Sequence, residues 1–370
     1  MLTRLLCDNY KCLVNFEFRP GPLQLLMGRN GAGKSTVFEV LELLRDFAAR
    51  GERCEGRLAG RTRTRWQDVE QQRFELEVSG NGGVYLYELL IDEWGQPAYP
   101  RVRREAVSLD GKPLFKFEEG MMHLYNDLFA ERVQFAFDRR RSGLAIVESR
   151  PENKKLSWLK DWLGRLLYVQ IDPKRMGARA DKEAVHPAFD LSNFAEWYRH
   201  LRLARGRITE EIRSSLQEVV GGFESLDLED AGLNVRQLQV EVRASSDLNS
   251  KSLRYSFDEL SDGQRALVGL YTLLHAALAN QTTICIDEPD NFVALAEIQP
   301  WLSRLRDLQE IGSQVLIASH HPELLNELAT RNGVVLDRVD GRHTLVRPWA
   351  PPSDTTLTPA EIVARGWERG

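Results

Sequence analysis

The run GRNGAGKSTV, residues 28–37, limits what this chain can fold into more than any other stretch. Its spacing is G-x-x-x-x-G-K-S, from Gly28 through Gly33, Lys34 and Ser35. Apolar Leu23, Leu25, Leu26 and Met27 precede it. Val37, Val40, Leu41, Leu43 and Leu44 follow at helical spacing. The pattern predicts a buried strand, a glycine turn and an amphipathic helix. Such a turn lets successive backbone N–H groups converge on phosphate oxygens. The helix start adds the positive end of its dipole. Lys34 brings a full charge to the β- and γ-phosphates, and Ser35 offers a hydroxyl to Mg²⁺. An ordinary strand–helix turn does not require the complete pattern, so the expectation is a nucleoside triphosphate site.

The rest of the composition narrows the class. A chain of 370 residues with 42% hydrophobic content can bury a large core and hold two domains. No apolar run reaches the length of a membrane span. Met1 leads directly into an amphipathic strand carrying Asp8 and Lys11, so no secretory leader is expected. A net charge of −5 does not advertise nucleic acid. Cys7, Cys12, Cys54 and Cys285 lack metal-ligand spacing and read as reduced thiols of a cytoplasmic protein.

Strands are expected at 2–8, 13–19 and 23–27, and a helix from Lys34 to about Ala49. Antiparallel strands follow at 72–79, 84–91, 98–108 and 113–118, with turns at Gly80–Gly83 and Asp110-Gly111. Residues 156–168 and 192–219 read as helical, 235–243 and 252–257 as strands, and 263–279 as a helix. Ile284 to Ile286 and Val315 to Ala318 read as buried parallel strands. A hairpin across Asp340-Gly341 joins 333–337 to 343–347, and a proline-rich tail follows.

Three further stretches bear on chemistry. TTICIDEPDN, residues 282–291, ends an apolar strand in Asp287 and Glu288, where ligands bind in α/β folds. Alone, such a pair is an ordinary solvated turn. Beside a phosphate loop, Asp287 can hold Mg²⁺ and Glu288 can polarise the attacking water. ELSDGQRAL, residues 259–267, opens a helix with Ser261 as N-cap and Gln264 completing a capping box. That helix start is also a second anion site. Two such sites do not fit one triphosphate within one protomer, which points to action across a dimer. LIASHHPELL, residues 316–325, sets His320 between an apolar strand and a helix opened by Pro322. A lone histidine is usually structural. Here it falls where a γ-phosphate sensor would sit, with His321 as its rival.

The ordered set GRNGAGKST, LSDGQ, IDEP and SHHPELL resembles the ABC-type ATPases of the structural-maintenance-of-chromosomes, RecF and OLD-like branch. The opening LTRLLCDNYKCLVNFEF is similar to that branch's first strands. Residues 193–325 resemble stand-alone AAA-family ATPases of bacteria, many of them associated with phage defence. The likeness spans about residues 1–50 and 190–347. It implies an α/β fold: a P-loop ATPase head with an antiparallel β lobe, a mixed sheet core and a helical subdomain, without a long coiled coil. It implies ATP and Mg²⁺ as ligands. Asn30, Gly31, Ala32, Gly33, Lys34, Ser35 and Thr36 would cradle the phosphates, with Ser35 and Asp287 at Mg²⁺. Glu288 would be the catalytic base and His320 the switch histidine. Ser261, Asp262, Gly263 and Gln264 would be the signature facing a partner protomer's ATP, and Lys11 a basic residue near the nucleotide. Gln134 and Gln170 both stand as candidates for the glutamine that completes the Mg²⁺ shell.

Departures from the branch shape the functional expectation. Asp262 replaces a common glycine, and DNFVALAE after IDEP lacks the usual dimer-contact element. The expected organisation is 1–56 and 191–348 as the two halves of the head, 57–190 as an inserted β-rich and helical region, and 349–370 as a tail. No TOPRIM-type nuclease is expected after the head. The leading reading is an ATP-driven switch that homodimerises on ATP and controls a separate effector, such as a nuclease, in anti-phage defence. A RecF-like DNA-repair ATPase is the alternative. A transporter subunit ranks last, because the interval from phosphate loop to signature is too long. Arg50, Arg53, Arg57, Arg61, Arg63 and Arg65 crowd one segment, the last three expected on one strand face, and Arg139 to Arg141 form another run. They are either a solvated face or a non-specific DNA contact.

Overall fold

Alternation and tight turns build the first sheet. Strands β1 (Leu2–Asp8) and β2 (Phe16–Phe18) pair antiparallel, and the fully buried β3 (Leu23–Met27) feeds helix α1 (Lys34–Ala48). Four further antiparallel strands follow: β4 (Gln72–Gly80), β5 (Gly83–Trp94), β6 (Tyr99–Leu109) and β7 (Lys112–Glu118). Asn81-Gly82 and Asp110-Gly111 turn with positive φ at both positions, 47° and 83°, then 48° and 77°. That is the type I′ geometry suited to the strand twist. Within this sheet, strands β8 (Met121–Tyr125) and β9 (Glu131–Ala136) were not expected from the sequence. The edge strand β9 is exposed along nearly its whole length, so it carries no burial alternation to read. The sheet order is β2-β1-β4-β5-β6-β7-β8-β9. Helices α2 (Gly143–Ile146) and α3 (Lys154–Gly164) follow.

The helix expected over 156–168 stops at Gly164. Leu167–Val169 is instead strand β10, buried at every position and parallel to residues 284–286. The apolar run fits either period, and burial on both faces selects the strand. The short β11 (Arg179–Ala180) comes next. The helix expected over 192–219 is two, α4 (Phe194–Ala204) and α5 (Gly206–Val219). They are broken at Arg205, whose φ of −152° and ψ of 68° are not helical. Strand β12 (Phe223–Gly232) was not expected. It pairs with β13 (Val235–Arg243), which also carries β14 (Ser252–Ser256) and β11. Helix α6 (Asp262–Asn280) leads to β15 (Thr283–Asp287). Helix α7 (Leu295–Glu310) leads to β16 (Gln314–Ala318), and α8 (Pro322–Asn332) to the β17 (Gly333–Arg338) and β18 (Thr344–Pro348) pair. The turn expected at Asp340-Gly341 lies outside the described residues. Residues 349–370, expected as a tail, contain helix α9 (Pro359–Ala364), started by a complete capping box at Thr358 and Glu361.

The computed structural model describes residues 1–55, 57–58, 60–94, 99–243, 251–310, 312–338, 342–351 and 355–366, with 61, 94 and 306–310 described by backbone alone. They form two compact units. The first comprises Met1–Leu166, Thr330–Thr355 and Gly366–Gly370; the second comprises Leu167–Ala329 and Thr356–Arg365. In the first, β3 runs parallel to β17, and β17 is antiparallel to β18. In the second, β15 lies between β10 and β16, all parallel.

One buried charge group ties the first unit together. Glu105 on β6 is fully buried and accepts hydrogen bonds from the Tyr87 hydroxyl at 2.9 Å, the Ser142 hydroxyl at 2.6 Å and the Gly143 amide at 2.8 Å. Burial pushes its pKa up against the pull of those donors. Glu105→Ala leaves three buried donors unpaired. It is expected to cost about 3 kcal/mol of stability, read as a lower urea midpoint at unchanged slope.

Candidate nucleotide site

In the first unit, the buried β3 delivers the chain to Gly28, where the glycines have specific tasks. A Cβ on Gly28, at φ 141°, would lie 2.2 Å from the Leu336 carbonyl oxygen. A Cβ on Gly33, at φ 104°, would meet Thr344 Oγ1 at 2.7 Å and Cys12 Sγ at 3.1 Å. Gly33 has no side chain to cap α1, and the first turn of α1 holds no acidic residue. This helix start suits an anion. Lys34 is buried and folds back over the loop, its Nζ donating to the Gly28 carbonyl at 2.8 Å. Ala32 and Gly33 are buried, Thr36 is half-buried, and Asn30, Gly31 and Ser35 are exposed.

Residues far along the chain brace this loop. Arg338 Nη1 donates to the Gly31 carbonyl at 3.1 Å, and Thr344 Oγ1 donates to the Ala32 carbonyl at 2.9 Å. Sequence reasoning missed both, because no motif links β17 and β18 to a loop some three hundred residues earlier. Lys11 has a positive φ of 51° and ion-pairs with Glu39, one turn beyond Ser35 on α1. Its amide donates to the Thr62 carbonyl at 2.7 Å.

In the second unit, Asp287 is the last residue of β15 and is buried; it accepts a hydrogen bond from the Tyr168 hydroxyl at 3.3 Å. Glu288 turns into the left-handed region at φ 52°, its amide donating to the Ala318 carbonyl at 2.8 Å. Its Oε1 lies 3.0 Å from Nδ1 of His320, which is 58% exposed. His321 instead accepts the Glu323 amide on Nδ1 at 3.3 Å, in the first turn of α8. Its ring is thus engaged at a helix start, whereas His320 faces the carboxylate. Ser319 donates to Asp290 at 2.6 Å, joining this loop to the one after β15. The pairing of Val169 with Ile286 sets the next residue, Gln170, level with Asp287. Gln134 lies on the exposed edge strand β9 of the other unit.

The signature stretch caps its helix as expected. Ser261 Oγ accepts the Gln264 amide at 3.3 Å, and Gln264 Oε1 accepts the Ser261 amide at 3.1 Å. Asp262 pairs with Arg265 at 2.7 Å. A Cβ on Gly263 would sit 2.8 Å from the Phe292 carbonyl, so the loop after IDEP packs directly on the helix start.

The arginine cluster does not form the expected strand face. Residues Gly60–Thr62 are a 3₁₀ turn, and no strand carries Arg63 and Arg65. Arg57 pairs with Glu42 and Asp46, Arg50 with Asp46, and Arg63 with Glu93. Arg140 pairs with Asp138 and Glu55. Four of the nine arginines, Arg50, Arg57, Arg63 and Arg140, are thus answered by the chain's own carboxylates, which leaves fewer charges for a phosphate-tracking surface.

P-loop ATPase heads of the ABC type are the class in which this fold and these loops occur together. The chain belongs to the family described as "AAA domain, putative AbiEii toxin, Type IV TA system", which matches residues 25–326. Among solved structures it is similar to the SMC head domain from Thermotoga maritima, at 13% identity and TM-score 0.47, over 94% of this chain and 98% of that one. It is also similar to the SmcHead bound to the C-winged helix domain of ScpA, at 12% identity and TM-score 0.55, over 94% and 97%. The latter likeness carries the fold, a mixed α/β head of the SMC type. No curated protein sequence matches the chain. Among the described residues no helix is long and apolar enough to cross a membrane.

Proposed function

We propose that this head binds ATP with Mg²⁺, pairs with a second copy of itself on doing so, hydrolyses the nucleotide, and thereby controls a separate effector in bacterial anti-phage defence. The observation that carries the hydrolytic part is the Glu288–His320 pair, 3.0 Å apart, on a carboxylate fixed by a left-handed backbone. Ser35 and Asp287 suit Mg²⁺, which takes few protein ligands and completes its shell from phosphate oxygens and water. The ion would neutralise charge on the transferred phosphate. Gln170 is the better of the two glutamine candidates, because it directly follows β10, the strand paired with β15. Dimerisation rests on the signature helix start, and Lys11 is assigned to the nucleotide side of α1.

Two likenesses support action through an effector. The family is described as a putative AbiEii toxin of a Type IV TA system, and the similar SmcHead is bound to the C-winged helix domain of ScpA. By analogy, this chain acts through a partner. Strands β4–β9 of the first unit, the antiparallel part of the insert at 57–190, are assigned as its docking region. The repair alternative gains no support from the arginine clusters, four of whose members are ion-paired within the chain.

Lys34→Ala tests the foundation. It removes the charge facing the β- and γ-phosphates and is expected to weaken ATP binding at least about tenfold. Unchanged affinity by calorimetry removes residues 28–36 from the phosphate role. The same pair of proteins, incubated with ATP, Mg²⁺ and Mn²⁺ on duplex DNA, single-stranded DNA and RNA, is expected to cut nothing. Cleavage that survives Lys34→Ala and vanishes on changes within 57–190 would put the effector inside this chain.

A further inference from the structure

Trp66 lies in a segment that none of the ATPase motifs covers, between α1 and β4, and it is 47% exposed. Isolated surface aromatics are common, and exposure alone means little. Two observations set this one apart. The first is its link to the phosphate loop. The Arg338 guanidinium lies over the indole, 5.8 Å from the ring centroid, and donates through Nη1 to the Gly31 carbonyl at 3.1 Å. Its Nε donates to the Arg342 carbonyl at 2.9 Å, which fixes the guanidinium between ring and loop. One side chain thus separates the indole from the glycine cradle.

The second observation is rigidity. Asn9 is fully buried and left-handed at φ 59°, and it clamps the Trp66 segment on both sides. It accepts the Thr64 amide on Oδ1 at 3.1 Å and donates from Nδ2 to the Val69 carbonyl at 2.7 Å and the Gln71 carbonyl at 2.9 Å. The Lys11 amide holds the Thr62 carbonyl at 2.7 Å, and the Gln67 amide donates to the Thr64 carbonyl at 3.3 Å. A large apolar ring is therefore presented beside the loop, instead of being folded into the core where its burial would stabilise the fold. The ligand component that needs a flat apolar surface next to bound phosphates is a nucleobase.

We propose that Trp66 is the stacking platform for the base of the bound nucleoside triphosphate, with Arg338 positioning the indole against the phosphate loop. The proposal rests on residues 28–36 being the triphosphate site. Stacking exploits the face of the base, so it favours the larger purines over pyrimidines and is indifferent to their edges.

Calorimetry on the full chain with ATP, CTP and inorganic tripolyphosphate separates the base from the phosphates. Trp66→Ala is expected to weaken ATP about 5- to 150-fold, the range for loss of one base–aromatic stack. CTP should lose less, and tripolyphosphate should be unchanged. Trp66→Phe should recover most of the ATP affinity. The platform is wrong if Trp66→Ala binds ATP as the parent does. It is also wrong if ATP and tripolyphosphate weaken equally, since Trp66 then only supports the loop. If the unaltered chain binds neither ATP nor tripolyphosphate, the triphosphate site fails and the platform falls with it.

Discussion

Glu288→Gln is expected to hold ATP and to turn it over about 10²- to 10³-fold more slowly than the unaltered chain, the scale of a lost general base. The amide matches the carboxylate in size, and the backbone that aims it is independent of the side chain. The Glu288 amide is held by the Ala318 carbonyl at 2.8 Å, and the Glu288 carbonyl accepts the Asn291 amide at 3.2 Å. What is lost is the ability to accept a proton from water. The left-handed backbone at φ 52° costs about 1 kcal/mol or more. The two backbone hydrogen bonds hold it there, so the substitution leaves the aim of the side chain unchanged. The experiment measures steady-state turnover and, separately, nucleotide retained after rapid gel filtration. Normal turnover removes Glu288 from the reaction. Loss of retention together with turnover would mean that the residue binds nucleotide and does not activate water.

How much of this was legible in the sequence depended on how local each signal was. The phosphate loop was legible because its glycines answer local demands, namely positive φ and a backbone approach at Gly28 and Gly33 too close for any Cβ. The strands β3, β15 and β16 were legible because burial on both faces leaves unbroken apolar runs. The capping box at Ser261 and Gln264 was equally local. The supports of the site were not. Arg338 and Thr344 brace Gly31 and Ala32 through tertiary contact alone, and no pattern in the sequence announces it. Gln134 and Gln170 stood equal in the sequence, which does not show that Gln170 directly follows β10, beside β15, while Gln134 lies on β9 in the other unit. The misread helix end at 164 has the same origin. Leu163, Leu166 and Leu167 continue a helical period, and only pairing with β15 shows that the last of them belongs to a strand. The arginines of 50–65 were read as a surface because their carboxylate partners, Glu42, Asp46 and Glu93, lie on other elements.

Ser261→Arg carries the second large effect, and it addresses the dimer. Ser261 is exposed at the start of the 19-residue helix α6, where it forms a complete capping box with Gln264. Gly263, two residues on, is pressed against the Phe292 carbonyl, so the helix start cannot shift to absorb a larger neighbour. An arginine at the N-cap loses the cap, which costs about 1 kcal/mol, too little to unfold the second unit. Its bulk and reach would fill the space that a phosphate of the partner protomer requires. ATP binding to the single chain should therefore persist, while turnover falls by at least about 10²-fold, the scale for removing a preorganised phosphate-stabilising group. ATP-induced dimers should disappear. Light scattering with a non-hydrolysable ATP analogue reads the dimer directly, and a thermal melt confirms that the variant is folded. Ser261→Thr keeps the capping hydroxyl and serves as the control, with dimer and turnover expected near those of the unaltered chain. A dimer of normal strength in Ser261→Arg would place the signature away from the interface.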